Sequence, residues 1–497
     1  MSLVVSFDYI FSQESGLLAR HPSWERVHLQ EVARVQNGDA FKSKLFSKEK
    51  GFPLIRIRDL FRSKSETFYK GTYGHEFVVS RGDLLIGMDG DFACHEWHGE
   101  PGLLNQRVCK IIPDESVLDR KFLLFGINGY LQAIKEATSS QTVTHLSSRD
   151  ILRIPFPLPT LSEQQRIVAK VEALLARVNA ARQRLAKVPA ILKRFRQSVL
   201  AAACSGRLTA AWREEHADLE HPLSNEIEPS VLEEWNDLPE IPDSWCWTTL
   251  RDVSAYQGGY AYLSKRFTEE ETGNQVLRIG NTRPGYVDEL IAPAFITDEY
   301  AEETERFELQ PHDILISQTG TRYKRDYGFV GLVQVSSRRL FLNQRVSRLR
   351  CDSERIEPRY VFSWLQTEPY RGCFFKDETG NVNQGNVGAK PLKTGPIPLP
   401  PFPEQHEIVR RVEALFRLAD AIEKRVAAAT ARAEKLTQAI LAKAFRGELV
   451  PTEAELARAE GRDYEPASVV LERIRAERAN ADTAKTRKPR RARAKGR

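Results

Sequence analysis

Basic and amide side chains that could bind nucleic acid are concentrated in loops in two separate parts of the chain. In the first part, lysines and arginines alternate with phenylalanines, and in the second, arginines occur beside asparagine, glutamine and tyrosine. Arginine can form two hydrogen bonds with guanine, and asparagine or glutamine can form two with adenine, so both loop sets could distinguish base sequences. The candidate DNA-binding residues are Lys42, Lys44, Arg56, Arg58, Arg62, Lys64, Arg107, Arg278, Asn281, Arg283, Gln318, Arg322, Tyr323, Lys324, Arg325 and Arg345.

Alternative interpretations stay open for these residues. Each charged side chain could be a solvated surface charge, although the occurrence of similar loops twice favours a shared role. The sequence LNQRV occurs at residues 104–108 and again at 342–346. Its polar residues could contact bases, but a buried amide that braces the loop at the start of a strand is the favoured interpretation.

Motifs of common catalytic sites are absent from the sequence. It contains no GxxxxGK[ST] phosphate loop, no HExxH and no GxSxG. It also lacks the asparagine or aspartate before Pro-Pro and an aromatic residue that holds the target amine in amino-methyltransferases. The sequence therefore predicts a chain that is not an enzyme by itself and binds no cofactor.

The cysteines and histidines give no clear metal site. Cys94, His95 and His98 form a small cluster, but no second ligand pair has suitable spacing, so a polar loop is the favoured interpretation. The six cysteines show no CxxC pairing, which is typical of reduced thiols.

A long segment occurs twice in the chain. The run PFPLPTLSEQQRIVAKVEALLARV at residues 155–178 returns as PIPLPPFPEQHEIVRRVEALFRLA at residues 396–419, and SVLAAACSGRL at 198–208 returns as AILAKAFRGEL at 439–449. The offset is constant at about 241 residues through both runs, but it drifts upward from about 221 in the segments before them. Each half of the chain is therefore predicted to contain a variable globular head followed by a helical part of fixed length.

Apolar residues in both helical parts alternate three and four apart, which predicts two helices of some 40 residues that form a coiled-coil seam. Antiparallel packing of the two helices is the simplest arrangement. Pro189 predicts a kink or brief break in the first helix, Ser162 is its expected N-cap, and Gly206 and Gly447 are expected C-caps. The predicted seam residues are Ile167, Val171, Leu174, Val178, Leu185, Leu192, Phe195, Ile408, Val412, Leu415, Ile422, Val426, Leu436 and Ile440.

The heads have the pattern of mixed α/β folds with short strands. The candidate strands are residues 53–57, 83–87, 107–111, 276–279, 313–317 and 328–335, and the candidate helices are 121–135 and 358–374.

Charge is unevenly distributed along the chain. The net charge of +6 comes from the tail at residues 485–497, which carries about eight basic residues and is predicted to be disordered. A basic stretch at 163–213 precedes an acidic linker at 214–243, which could be a docking strip or a solvated loop. No apolar run is long enough for a membrane span, and the first 20 residues lack the pattern of a signal peptide, so a cytoplasmic location is expected.

The chain resembles the specificity subunits of type I restriction-modification systems. The resemblance covers almost all of the chain and depends on the doubled motif PLPTLSEQQRIVAKVEALLARVN and PLPPFPEQHEIVRRVEALFRLAD, in which Asn179 departs from the pattern that Asp420 follows. It implies an α+β fold in which two target-recognition domains are joined by two long antiparallel helices with pseudo-two-fold symmetry. The implied parts are residues 1–154, an N-terminal arm and first recognition domain; 155–213, a helical spacer; 214–243, the acidic linker; 244–395, the second recognition domain; 396–450, a second spacer; and 451–497, a short helix and basic tail.

The resemblance also implies a function and partners. Each recognition domain would bind one half of a split double-stranded DNA site, and the helices would set the spacing and dock two modification subunits. Those subunits would bring S-adenosylmethionine for adenine methylation, and restriction subunits would bring ATP- and Mg-dependent translocation and cleavage. Two other hypotheses are a fused nuclease or DNA methyltransferase with an unrecognised motif, and a coiled-coil scaffold without DNA function.

Overall fold

The computed structural model describes residues 18–90, 92–138, 145–219, 227, 235, 238–381 and 383–486. The chain divides into two compact units. Unit 1 comprises Met1–Leu185 and Ala428–Arg497, and unit 2 comprises Ala186–Ala427. The N-terminal arm at 1–17, much of the acidic linker and the basic tail from residue 487 lie outside the described residues, so the predictions for them stay predictions.

The head of unit 1 is built from two small sheets and a helix. A four-stranded antiparallel sheet has the order Ala33–Asn37, Val108–Pro113, Leu84–Gly87 and Cys94–Glu96. A five-stranded mixed sheet has the order Phe46–Ser47, Phe68–Tyr69, Phe52–Ile55, Gly102–Leu104 and Val78–Val79. The helix Arg120–Thr138 packs Phe122, Ile127 and Leu131 into the core beside the first sheet.

The head of unit 2 repeats this topology. Its four-stranded sheet has the order Ser254–Gly258, Val346–Cys351, Ile314–Ser317 and Val330–Leu332. Its five-stranded sheet has the order Phe267–Thr268, Phe295–Ile296, Asn274–Leu277, Arg339–Leu342 and Glu308–Leu309, with the parallel pair at the same place as in unit 1. The prediction of two mixed α/β heads of common origin is therefore confirmed at the level of strand order.

Smaller elements complete each unit. In each unit, a strand at the start of the head pairs with the strand that precedes the long helical part. The pairs are Glu25–His28 with Pro155–Leu158 in unit 1 and Cys246–Thr249 with Pro396–Leu399 in unit 2. Unit 2 also has the pair Thr282–Arg283 and Tyr286–Val287, and a three-stranded sheet of Thr319–Gly320, Gln384–Asn386 and Thr379–Asn381. The other α-helices among the described residues are Leu29–Val32, Ile57–Leu60, Ser148–Leu152, Ala210–Glu215, Leu250–Val253, Asp298–Glu303, Pro358–Trp364, Glu368–Lys376, Lys390–Thr394, Glu453–Glu460 and Ala467–Thr486.

The candidate strands agree with the structure to within a few residues, but the candidate helix at 358–374 is wrong as a single element. It is two helices, Pro358–Trp364 and Glu368–Lys376. Thr367 separates them because its hydroxyl donates to the Trp364 carbonyl (2.7 Å) and accepts from the Tyr370 amide (3.4 Å). A threonine in this position ends one helix and caps the next.

The two predicted long helices differ in continuity. The first is split into Leu161–Leu185 and Val188–Cys204, and Pro189 lies in the first turn of the second piece, where its missing amide hydrogen costs nothing. The second is one helix of 44 residues, Phe402–Phe445. Gly206 and Gly447 both have a φ of 72°, as expected of left-handed residues after a helix. Ser162 is not the N-cap, because the helix begins one residue earlier and the Glu163 amide donates to the Thr160 hydroxyl instead.

Most predicted seam residues are buried or half-buried. In unit 1, Ile167, Val171, Val178 and Ile440 lie in the main core with Leu174 packed against it. In unit 2, Ile408 and Val412 lie in the core with Phe195 and Leu415 packed against it, and Leu192 is buried. Leu185, Ile422 and Val426 are half-buried.

Leu436 was predicted in the seam, and this prediction is wrong because 50% of the residue is exposed. The apolar stripe at this end is Ala433, Ile440, Leu441 and Ala444. At 100° per residue, Leu436 lies about 80° from the centre of that stripe, because a seven-residue repeat drifts around a helix of 3.6 residues per turn.

A buried glutamate at the start of each helix joins it to the head. In unit 1, Trp24 Nε1 donates to Glu163 Oε1 (2.9 Å), and the amide of Glu453 donates to Glu163 Oε2 (3.1 Å). In unit 2, Trp245 Nε1 donates to Glu404 Oε2 (2.8 Å), and the Thr209 hydroxyl donates to Glu404 Oε1 (2.7 Å). Arg213 adds an ion pair to Glu404 at 2.8 Å.

The glutamine that follows each glutamate fixes a second segment of the head. Gln164 accepts from the Asp119 amide (2.7 Å) and donates to the Val117 carbonyl (2.8 Å). Gln405 accepts from the Glu357 amide (2.8 Å) and donates to the Pro400 carbonyl (3.0 Å). The repeated Glu-Gln pair of the doubled motif is therefore a structural joint between helix and head, since both side chains are buried and hydrogen-bonded through these contacts.

Burial raises the pKa of Glu163, and the hydrogen bonds from the Glu453 amide and from Trp24 offset only part of this effect. Arg462 and Arg166 bind Glu453, and together they lower the pKa of Glu453 against the opposing effect of its burial.

We predict that Glu404→Ala destabilises unit 2 by about 3–5 kcal/mol, because it leaves Trp245 Nε1 and the Arg213 guanidinium without their buried acceptor. The matched control is Glu423→Ala, which removes an ion pair with Arg196 from a side chain that is 56% exposed. The control should cost about 0–1 kcal/mol. The free energy of unfolding, measured by urea titration of the full chain, distinguishes the two variants, and equal losses would contradict the role given to Glu404.

Candidate nucleic-acid interface

The first group of candidate residues in unit 1 flanks a short turn at the edge of the five-stranded sheet. Lys42 and Lys44 are exposed on either side of Ser43. The neighbouring Phe41 and Phe46 instead pack against Tyr69, with ring centroids 4.8 and 6.3 Å away. The aromatic residues therefore anchor the turn, and the two ammonium groups face solvent.

The second group in unit 1 surrounds the short helix Ile57–Leu60. The buried Asp59 accepts from the Arg56 amide (2.9 Å), and its carboxylate lies 3.9 Å from Arg58 Nε. Burial raises the pKa of Asp59. The other candidates of this group, Arg62 and Lys64, are exposed on the two sides of a turn in which Ser63 has a φ of 48°.

The six basic residues do not form one patch. The strands Phe46–Ser47 and Phe52–Ile55 run in the same direction, because each pairs antiparallel with Phe68–Tyr69. Lys44 precedes the first of these strands, whereas Arg56 follows the second. The two groups thus lie at opposite ends of the strands, and they could contact different parts of a ligand.

Arg107 and Arg345 occupy equivalent positions in the two heads. The Arg107 carbonyl accepts from the Met88 amide (3.0 Å), and the Arg345 carbonyl accepts from the Gln318 amide (2.9 Å). Each arginine directly precedes a strand of the four-stranded sheet, Val108–Pro113 or Val346–Cys351. Both side chains are exposed, and the Arg107 guanidinium forms an ion pair with Asp89 at 3.1 Å. The LNQRV repeat thus places an exposed arginine at the same site twice, while its asparagines are only half-buried.

Asn281 is a correction to the candidate set. It is 2% exposed, its amide donates to the carbonyls of Asp288 and Ile291 (both 2.8 Å), and its oxygen accepts from the Arg278 amide (2.8 Å). Its hydrogen-bonding groups are therefore used to brace its own loop. The neighbouring Arg278 is exposed, and Arg283 is half-buried.

The remaining candidates in unit 2 lie on one loop. Asp326 closes this loop by accepting from the Thr321 amide (2.6 Å), which lowers the pKa of Asp326. Arg322 donates to the Gly380 carbonyl (2.9 Å), Tyr323 is 76% exposed, and Lys324 is exposed at the tip. The Arg325 guanidinium lies 4.7 Å above the ring of Phe375.

Gln318 precedes this loop and connects three segments. It donates to the Val387 carbonyl (3.0 Å), and its oxygen accepts from the Ser347 hydroxyl. Its contacts position the loop, and they leave its amide little freedom to bind a base.

Two features of unit 2 were missed by the sequence reasoning. Helix residues Lys193 and Arg196 line a cleft of about 720 Å³ together with Lys324, Arg325 and Arg371 of the head. The basic stretch at residues 163–213 is the sequence feature that could have indicated this cleft. The second feature is the exposed three-stranded sheet that contains Thr379–Asn381 and Gln384–Asn386, whose signal was the run of asparagine, glutamine and glycine at 379–388.

Cys94, His95 and His98 lie within the described part of the chain. Within it, no three His, Cys, Asp or Glu side chains are grouped so that they could hold a metal ion. Cys94 lies in the hydrophobic core, and burial raises the pKa of its thiol. Among the same residues, every helix is too short or too polar to span a bilayer.

Comparison with known proteins agrees with this geometry. A family model described as a type I restriction modification DNA specificity domain matches residues 22–190 and 242–429, one match for each half of the chain. The chain is 39% identical over 471 residues to the type I restriction enzyme EcoBI specificity subunit of Escherichia coli, with 94% of each chain covered. It is 32% identical over 481 residues to the EcoKI specificity subunit of Escherichia coli strain K12, with 92% of this chain and 96% of the relative covered.

A solved structure gives the same result for the fold. A chain from a study of complex assembly and conformational transition of the type I R-M system aligns with a TM-score of 0.60 at 22% identity, covering 86% of this chain and 99% of the other. The duplicated heads and the Glu-Gln joint at the start of each helix are thus found in a chain that belongs to the family of type I restriction-modification DNA specificity subunits.

Proposed function

We propose that each head recognises one half of a split site in double-stranded DNA. The observation that carries this proposal is the combination of identical strand order with different exposed loops in the two heads. The first head presents lysines and arginines at both ends of its five-stranded sheet, whereas the second presents an arginine- and tyrosine-bearing loop. Similar folds with different loops suit two half-sites of different sequence.

The helices, in this proposal, form an antiparallel coiled coil that fixes the distance between the two half-sites. Contacts inside unit 2 support it, because Arg196 binds Asp420 (2.6 Å) and Glu423 (3.0 Å), whereas Thr209 binds Glu404. Higher numbers in one helical segment thus pair with lower numbers in the other, as opposite chain directions require. The continuous helix of 44 residues supports a rigid spacer of about 66 Å.

The same helices would dock two modification subunits. Support comes from apolar side chains that remain on their outer surfaces, since Ile191, Leu418 and Leu436 are each at least half exposed. In this proposal the docked subunits would cover these apolar groups and so remove them from water. In this proposal the acidic linker and the basic tail keep their predicted roles in docking and in salt-sensitive DNA attraction.

Catalysis would then belong to the partners. The modification subunits would supply S-adenosylmethionine and methylate adenine, and the restriction subunits would use ATP and Mg for translocation and cleavage. This chain would act in the cytoplasm as the part that chooses the DNA site, with no reaction of its own.

We predict that exchange of the first head, residues 22–154, for that of a relative changes one half of the methylated DNA motif and leaves the other half and the gap unchanged. The reason is that each head keeps its own Trp-Glu joint to the helix and its own exposed loops. Genome-wide sequencing of methylated adenines measures the motif. A change in both halves would refute the division between heads.

We also predict the effect of lengthening the helices. Insertion of four residues in both helical parts, after Leu185 and after Ala427, should lengthen the spacer by about 6 Å and the gap in the methylated motif by about two base pairs. Insertion in one helix alone should misalign the seam and abolish methylation. Four residues inserted after Asp218, outside the helices, are the matched control and should leave the gap unchanged. An unchanged gap in the double insertion would show that the helices do not set the spacing.

A further inference from the structure

The second head carries an amide-rich hairpin next to the Arg322–Arg325 loop. Its strands Thr379–Asn381 and Gln384–Asn386 pair antiparallel, and Thr319–Gly320 adds a third strand beside Gln384–Asn386. Arg322 donates to the Gly380 carbonyl at 2.9 Å, so the basic loop and the hairpin form one surface. This surface, which we call the amide hairpin, comprises residues 319–325 together with Thr379–Asn381 and Gln384–Asn386.

The amide hairpin is held in a defined position. The Tyr327 hydroxyl donates to the Glu378 carboxylate at its base, and Asn381 Oδ1 accepts from the Asn383 and Gln384 amides (3.1 and 3.0 Å) at its turn. A Cβ atom on Gly385 would lie 2.3 Å from the Tyr327 hydroxyl oxygen, so the strand can lie this close to the head only with glycine there. A structure fixed in this way can present side chains at constant spacing.

Two amides on the hairpin are free to bind a ligand. Gln384 and Asn386 are exposed, and among the described residues neither side-chain amide has a hydrogen-bond partner. Side chains two residues apart in a strand lie on the same face, so both point away from Tyr327, which contacts Gly385 between them. Their Cα atoms are about 6.8 Å apart, a distance close to two base-pair steps.

We propose that the amide hairpin enters the major groove of the second half-site and that Gln384 and Asn386 contact base edges there. The major groove admits a β-ribbon, and glutamine and asparagine pair with the N6 and N7 atoms of adenine through two hydrogen bonds. The exposed Lys324 and Tyr323 flank the ribbon and would contact the phosphate backbone. This inference rests on the proposed function. It assigns the amide contacts of this head to Gln384 and Asn386 instead of the buried Asn281.

The test uses the full chain in its complex with the modification subunits. Binding is measured to a duplex with the cognate site and to duplexes with each base pair of either half-site replaced in turn. Gln384→Ala with Asn386→Ala should reduce the discrimination at one or two base pairs of the second half-site by about 5- to 150-fold. Discrimination in the first half-site should stay unchanged. Gln384→Glu, which loses the amide donors, should reduce discrimination at one of those same base pairs.

The matched control is Gln310→Ala, an exposed glutamine in the turn that precedes the strand Ile314–Ser317, and this variant should alter no base preference. Thermal melting of all variants should agree with that of the unmodified chain, because the substituted side chains are exposed. Unchanged discrimination in the second half-site, or a loss of affinity that is equal for every duplex, would overturn the role of the hairpin and leave the two-head proposal standing. A change of preference in the first half-site would instead contradict the two-head proposal itself.

Discussion

The buried carboxylate at the start of each helical part is the interaction on which the rest of each unit depends. Glu163 and Glu404 lie in the first turn of their helices and accept a hydrogen bond from a tryptophan at the start of the head. An unpaired carboxylate in such a position would be very costly, so the tryptophan, the helix start and the additional donors must all be in place together. The adjacent glutamines extend the same constraint to the segments at 117–119 and 357, which lead into the helices of the heads.

The two units satisfy the same acceptor with different donors. In unit 1 the second donor is the amide of Glu453, which two arginines hold in place, and in unit 2 it is Thr209 assisted by Arg213. In both cases the donor comes from the segment that follows the other helical part. In each unit, the segment that follows one copy of the repeat supplies a donor to the carboxylate at the start of the other copy. A change in the length of one copy alone would therefore separate the carboxylates from their donors. This explains why the offset between the two copies is constant there.

Much of this architecture could be predicted from the sequence because it depends on periodicity and repetition. The seam at Ile167, Val171, Ile408 and Val412 follows from apolar spacing alone. Whether a side-chain amide is buried or exposed cannot be predicted in this way, because Asn281 and Gln384 both lie in polar, loop-like stretches of the sequence. Tertiary contacts bury the first under the carbonyls of Asp288 and Ile291 and leave the second exposed on a strand. The break at Thr367 was not predicted because it depends on a hydroxyl that caps a helix. Leu436 was wrongly placed in the seam because the apolar stripe drifts around the helix axis.

The contrast between buried and exposed polar groups accounts for the contrast between constant and variable parts of the chain. A substitution at a buried joint costs several kcal/mol, a large fraction of the stability of a domain, whereas one at an exposed position usually costs less than about 0.5 kcal/mol. The exposed loops at 42–44, 56–64 and 321–325 can therefore change in sequence while the heads keep their strand order. The Glu-Gln joints therefore hold each head on its own helix in one geometry, while the exposed loops can change without disturbing those joints.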